Sequence, residues 1–307
     1  MSTERDLLIV GAGPAGVSAA LWAKSLGLTT LILEAGPKPG GQLHQVYFRP
    51  ENFPGAVPGH GEAIAAGMAA DLDTYGIECR CGAVAEALAS SPAVRLAGGE
   101  RVTAGAVLIA TGVRRRRLGV QGEREFEDRG VSFSANRDRA SFAGEEMVVV
   151  GGGDSAFENA LLLSAVGCTV TIVARGTPRA RPEYRARVAA DPRIEVIEGT
   201  RVTEILGDTR VRAVAVAGAR GDFELPAAGV VIKVGVIPNT EWCAEALDLD
   251  SDGYVEIDDQ LMTSQSRVWA AGDVTRPAVL GIAVAMGQGA LAATAIRKDL
   301  RRAGGAA

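Results

Sequence analysis

The chain is poor in the residues that mark metalloproteins, disulfide-stapled secreted domains and nucleic-acid binders. Two histidines, His44 and His60, exclude a histidine-rich metal site. Four cysteines, Cys79, Cys81, Cys168 and Cys243, are too few for a disulfide framework in 307 residues. Aromatics make up 5% of the chain and the net charge is -5, so there are few platforms for stacking bases and no general attraction to polyanions. Nucleic-acid binding is therefore not expected. No run reaches the ~18 apolar residues of a membrane span. Glu4, Arg5 and Asp6 precede a short apolar run that Gly11 ends, so neither a targeting segment nor a membrane association is expected, and a cytoplasmic location is.

What the chain has in quantity is glycine, 39 residues without periodicity, which points to tight turns and close ligand approach. Hydrophobic residues at 47% and charged residues at 22% support an ordinary core, and the length suits about two domains at ~150 residues each. The run 7–10 has strand length and leads into Gly11-Ala12-Gly13-Pro14-Ala15-Gly16. A helical stretch over 17–25 and an apolar run over 28–33 follow, ending in Glu34. The same grammar returns with 147–150, then Gly151-Gly152-Gly153-Asp154-Ser155-Ala156, a helical stretch to about 166, and 170–173 leading to Ala174 and Arg175. Two βαβ modules thus define an α/β protein with two Rossmann-like domains.

In such a motif the first glycine permits the turn, the second lets backbone approach a pyrophosphate, and the third lets helix and strand pack closely. Glu34 follows Gly16 by 18 residues and Arg175 follows Ala156 by 19, both near the ~20 expected of a residue that reads the adenosine ribose. Their charges differ. Glu34 accepts bonds from two ribose hydroxyls and repels a 2′-phosphate, which suits FAD or NAD; Arg175 offers a fork to a 2′-phosphate, which suits NADP. Gly11, Gly13, Pro14, Ala15, Gly16 and Glu34 form the first candidate site, and Gly151, Gly153, Asp154, Ser155, Ala156 and Arg175 the second. Arg179, Arg181 and Arg185 either reinforce phosphate binding or form a solvated loop. The run Arg114-Arg115-Arg116-Arg117 and the charged stretch 122–130 read as an exposed connection, and a second junction is expected near 240–247. Strands are expected over 211–216 and 230–236, and a helix over 281–300.

An ordered set of segments resembles the low-molecular-weight thioredoxin reductase family: GAGPAG at 11–16, GGQL at 40–43, ENFPG at 51–55, IATG at 109–112, GGGDSAFENA at 151–160, PNT at 238–240 and AAGDV at 270–274. The resemblance implies a discontinuous FAD domain, 1–116 with 245–307, interrupted by an NAD(P)H domain at 117–244. It implies that Gly41, Gln42, Leu43 and Asn52 contact FAD and that Val84 lies near the adenine. Ala110, Thr111 and Gly112 would line the exit from the flavin domain, with Gly272, Asp273 and Ile282 on the flavin. His44, close behind Gln42, is a candidate for proton transfer there. Family members are commonly homodimers.

Three departures stand out. Where the family has its redox Cys-x-x-Cys-Asp, this chain reads Ser134-Ala135-Asn136-Arg137-Asp138, and no remaining cysteine is a ready substitute. Ser134, Asn136 and Asp138 then either hydrogen-bond the flavin or form a plain loop. The family's His-Arg-Arg at the 2′-phosphate is Ala174-Arg175-Gly176, so NADPH is expected with NADH open, and its Arg-Gln before the last helix is Leu280-Gly281. The expected function is an FAD-dependent NAD(P)H oxidoreductase that passes electrons to an unidentified acceptor without a disulfide relay. The alternatives are a ferredoxin- or flavodoxin-NADP reductase that docks its carrier on the arginine run, an oxidase that reduces oxygen, and a flavin-bound redox sensor without turnover.

Overall fold

The computed structural model describes residues 5–54, 59–89, 92–218 and 221–304, so Gly55 of the ENFPG segment lies outside it. The chain divides into two compact units, residues 1–114 with 237–307 and residues 115–236.

In the first unit the strand Arg5–Val10, buried from Leu7 onward, pairs in parallel with Thr30–Glu34 on one side and Arg101–Ile109 on the other. Glu78–Cys81 extends the sheet beyond Thr30–Glu34. The long strand Arg101–Ile109 changes partner along its length. Its start pairs antiparallel with Ala93–Leu96, and its end pairs in parallel with Val268–Ala270. The C-terminal segment thereby completes a sheet begun at the N-terminus. One face of that sheet is covered by the helices Pro14–Ser25 and Ile282–Gly304. These two helices meet backbone to backbone: Ser18 donates to the Met286 carbonyl at 2.8 Å, and a Cβ at Gly289 would fall on the Ala15 carbonyl oxygen and 3.0 Å from Ala19 N.

The second unit has an all-parallel sheet in the order Ile194–Ile197, Thr169–Val173, Glu146–Val150, Gly229–Ile232, Val131–Ser132. A three-stranded antiparallel meander, Thr200–Gly207, Val211–Gly218 and Gly221–Pro226, precedes Gly229–Ile232 in the chain.

The structure corrects three expectations. The stretch 122–130 is not an exposed connection. Glu123 and Phe126 are buried, with Phe126 in the unit's core and Glu123 accepting from Leu118 N at 3.2 Å and Gly119 N at 2.8 Å. The expected strand over 230–236 is two, Gly229–Ile232 and Val236–Pro238, because Gly235 turns the backbone at φ +90. The chain returns to the first unit at 236/237 and not near 244, since Asn239 N donates to Gly112 O at 3.0 Å and its side-chain amide donates to Thr111 O at 2.8 Å. Among the described residues no helix is long and apolar enough to cross a membrane, and no group of three or more acidic, histidine or cysteine side chains is placed to hold a metal.

Gly289→Ala should force the two helices apart at the Ala15 carbonyl. An overpacked contact of this kind costs about 1–3 kcal/mol, so the variant's thermal midpoint, followed by circular dichroism, should fall below that of the wild type.

Candidate dinucleotide sites

In each unit the strand flanked on both sides by parallel partners ends in a glycine turn, and the two turns have the same build. Gly11 sits at φ +106 and Gly151 at φ +143, a region that only glycine enters freely. Gly11 N donates to Leu33 O at 2.8 Å, and Gly151 N to Val173 O at 3.0 Å. A Cβ on Gly11 would lie 2.7 Å from the Ala110 carbonyl carbon, and one on Gly151 would lie 2.9 Å from that of Lys233. Gly16 is equally constrained, since a Cβ there would fall on the Gly11 carbonyl oxygen. By contrast, nothing lies within 4 Å of a Cβ built on Gly13 or Gly153. Those two residues cap the helices Pro14–Ser25 and Asp154–Ser164, and no side chain caps either N-terminus. The first backbone N–H groups of these helices are thus left without a side-chain acceptor beside an open glycine, the arrangement that suits a phosphate.

The ribose-reading positions close each turn differently. The Glu34 carboxylate, at the end of Thr30–Glu34, accepts from Ala12 N and from Gly36 N, both at 2.7 Å. It is thereby locked against the first turn while keeping lone pairs for a ligand. Val84 stands nearby, because Ala83 N donates to Glu34 O at 2.9 Å; the Val84 carbonyl itself accepts from Ala97 N at 2.8 Å. Arg175 is exposed and makes no bond within the described residues. Beyond it the loop folds back over the second turn. Arg179 N and Ala180 N donate to Gly152 O at 2.7 and 3.1 Å, and Arg181 donates to Asp154 through its backbone N and Nε at 2.7 and 2.6 Å. Arg181 is thus spent on Asp154, whereas Arg179 and Arg185 are exposed. Ser155 is exposed, and its carbonyl takes the Asn159 amide at 2.7 Å.

The remaining first-unit candidates gather around the first turn. The short helix Gly41–Gln45 carries Gln42, whose amide reaches Asp273 at 3.1 Å, while Leu43 is buried. Burial raises the Asp273 carboxyl above its ordinary range, and the Gln42 bond opposes this. Gly272 lies 2.9 Å by its would-be Cβ from Ala15, and its N–H donates to Gln288 at 2.7 Å, a contact that no motif signals. Thr111 donates to Asn239 O at 2.9 Å, and Ile282 opens the last helix. Asn52 is exposed. His44 is engaged at both ring nitrogens, with Glu62 at 2.6 Å and Pro39 O at 2.9 Å, so proton transfer by it is not favoured. Bonds from Lys38 and His44 bring Glu62 down to about 2.

Residues 134–138 form a turn tied to its surroundings through Ala135, Arg137 and Asp138. Ser132 donates to Asp138 at 2.5 Å, Arg137 bridges Asp138 and Asp128 at 2.7 and 2.8 Å, and Asn159 accepts from Ala135 N at 2.8 Å. Asn136 is half-buried and Ser134 buried. The four cysteines are free thiols. Burial, helped by Cys81, pushes Cys79 up to about 12, burial does the same to Cys243, and it raises Cys168. The arginine run is not a free basic patch. Arg114 pairs with Glu241 and Asn239, Arg116 donates to Val236 O, and Arg117 pairs with Glu127 while stacking 5.2 Å over Phe133.

Two glycine turns of the kind that accepts a phosphate, each at the carboxyl end of a strand paired in parallel on both sides, are what a protein that takes two dinucleotides requires. The chain matches the family described as pyridine nucleotide-disulphide oxidoreductase over residues 5–297 and belongs to it. It is 36% identical over 293 residues to a thioredoxin reductase of Listeria innocua, covering 94% of this chain and 91% of that one. It is also 32% identical over 306 residues to a component of the alkyl hydroperoxide reductase of Pseudomonas putida, covering 97% of this chain and 58% of that longer one. The crystal structure of Lactococcus lactis thioredoxin reductase superposes with a TM-score of 0.84 at 31% identity, over 97% of this chain and 100% of that chain. FAD and NADPH are the cofactors of the thioredoxin reductases. The residues here fit them, with open glycines, uncapped helices, a carboxylate beside one turn and a guanidinium beside the other.

Glu34→Ala removes the acceptor of two backbone N–H groups. The purified variant should hold FAD at least about tenfold more weakly by equilibrium dialysis; full retention would contradict the role given to Glu34.

Proposed function

We propose that the protein is an FAD-dependent NAD(P)H oxidoreductase of thioredoxin reductase type that hands electrons to its acceptor without a disulfide relay. The observation that carries this reading is the pair of matched turns with opposite charges at their ribose positions, in a chain without a Cys-x-x-Cys. FAD, when bound, supplies the redox centre, and NAD(P)H supplies the hydride. The protein's part is to bind and orient. Gly11, Gly13 and Gly16, with the N-terminus of Pro14–Ser25, receive one pyrophosphate, and Glu34 receives the adenosine ribose. Gly151 and Gly153, with the N-terminus of Asp154–Ser164, receive the other, and Arg175 stands free for a 2′-phosphate. Glu34 and Arg175 sort the two dinucleotides by charge. The lost arginine at Gly176 leaves a single fork, which supports a modest preference for NADPH over NADH.

Two observations support the absence of a relay: residues 134–138 contain no sulfur, and burial raises the thiols of Cys79, Cys168 and Cys243, which disfavours their thiolates. The relatives are named for different acceptors, thioredoxin and alkyl hydroperoxide, so a shared reductive half with a variable outlet fits the family. Homodimerisation is part of the proposal by the same likeness.

Anaerobic titration with NADPH and with NADH should bleach the flavin absorbance. Arg175→Ala should raise the apparent KM for NADPH about tenfold and leave that for NADH within about twofold. Flavin that stays oxidised with both nucleotides would overturn the reading and favour a flavin-bound sensor without turnover.

A further inference from the structure

The likeness of the two turns assigns a residue that no motif contains. Ala110 N donates to Val10 O and Lys233 N donates to Val150 O, both at 2.8 Å, and the carbonyls of the same two residues face the Cα of Gly11 and Gly151. Ala110 and Lys233 therefore hold the same place in two copies of one fold. In the first unit that place carries a methyl group. In the second it carries an ammonium.

Lys233 follows Gly229–Ile232, which flanks Glu146–Val150 on the side away from Thr169–Val173 and Arg175. A dinucleotide in such a sheet lies across the point where strand order reverses, its two mononucleotides on opposite sides. If Arg175 takes the adenosine half, the nicotinamide half falls toward Lys233. The side chain is half-buried, and Nζ makes one hydrogen bond among the described residues, to Phe133 O at 2.6 Å, leaving two N–H donors. Among the described residues no carboxylate forms an ion pair with it. Held by one carbonyl and only half-buried, the ammonium has donors available to a ligand.

We propose that Lys233 binds the nicotinamide half of the pyridine nucleotide and, through its positive charge, favours the neutral reduced ring over the cationic oxidised one. This rests on the functional reading above. Burial lowers the ammonium to about 8; Arg115, at the start of the second unit, adds to that, and Glu158 from the helix Asp154–Ser164 opposes it. The contact is therefore present below about pH 8 and fades as pH rises through that value.

The test is calorimetric titration of the flavin-loaded full chain with NADP+ and with the redox-inert 1,4,5,6-tetrahydro-NADPH. Lys233→Met should weaken the reduced analogue about tenfold and NADP+ distinctly less, narrowing the ratio of the two Kd values. Lys233→Arg should keep the ratio and lose the decline in affinity above about pH 8 that the wild type shows. Unchanged Kd values in Lys233→Met, or equal weakening of both ligands, would overturn the inference. If Lys233→Met does not fold, the wild-type pH profile and Lys233→Arg decide, and a wild-type affinity flat across pH 8 counts against it. A wild type that binds neither probe refutes the functional reading and this inference together, whereas one that binds both with Lys233→Met unchanged refutes this inference alone.

Discussion

The structure depends on one steric fact, met twice: a main-chain carbonyl lies where the Cβ of the first turn glycine would be. At Gly11 the carbonyl belongs to Ala110 and at Gly151 to Lys233. Because that space is filled by backbone, the chain leaves the central strand tightly against its neighbour, and the following helix starts directly above the strand ends. On the proposed reading the uncapped N–H groups of that helix serve as a phosphate site without any charged side chain. Binding built on backbone tolerates extensive change elsewhere. That is how relatives at 31 to 36% identity keep the same architecture.

Charge is then added at one position per turn, and the two additions are anchored differently. Glu34 is fixed by two backbone donors, so its orientation is set before any ligand arrives. Arg175 is exposed and unanchored, while its neighbour Arg181 is bound to Asp154. A rigid acceptor suits a cofactor that stays bound, since little ordering remains to be done on binding. An unanchored guanidinium suits a substrate that exchanges every turnover. On the proposed reading, this contrast separates the resident dinucleotide from the transient one.

Both turns, the strands around them and the ribose positions were legible in the sequence, because glycine spacing, apolar runs of strand length and a terminal charge are local signals. The rest depends on pairing between distant segments. The resemblance implied that 245–307 completes the first domain, but no local signal gives the pairing of Val268–Ala270 with a strand more than 150 residues earlier. The burial of Glu123 inside a charged stretch is decided by the N–H groups of Leu118 and Gly119, which need an acceptor. Lys233 looked like one residue in an apolar strand, and only the ladder to Val150 reveals that it leaves the sheet at the crevice. Motif reasoning finds what is encoded within about 20 residues; charges placed by the adjacent strand lie outside its reach.

On the proposed reading the segment 134–138 is where an outlet for electrons changes without disturbing the fold. Its helical turn is held from outside by Asn159, which spans from Ser155 O to Ala135 N, and from within by Ser132, Arg137 and Asp138. None of these bonds requires a sulfur atom at 134–138, so a redox pair and a polar turn are alternatives on one scaffold. The glycine turns have no such freedom, because their geometry is fixed by backbone contact at Gly11 and Gly151. Nucleotide-binding parts should therefore diverge slowly and the outlet quickly, and an acceptor's identity has to be sought at the outlet, not in the two dinucleotide sites.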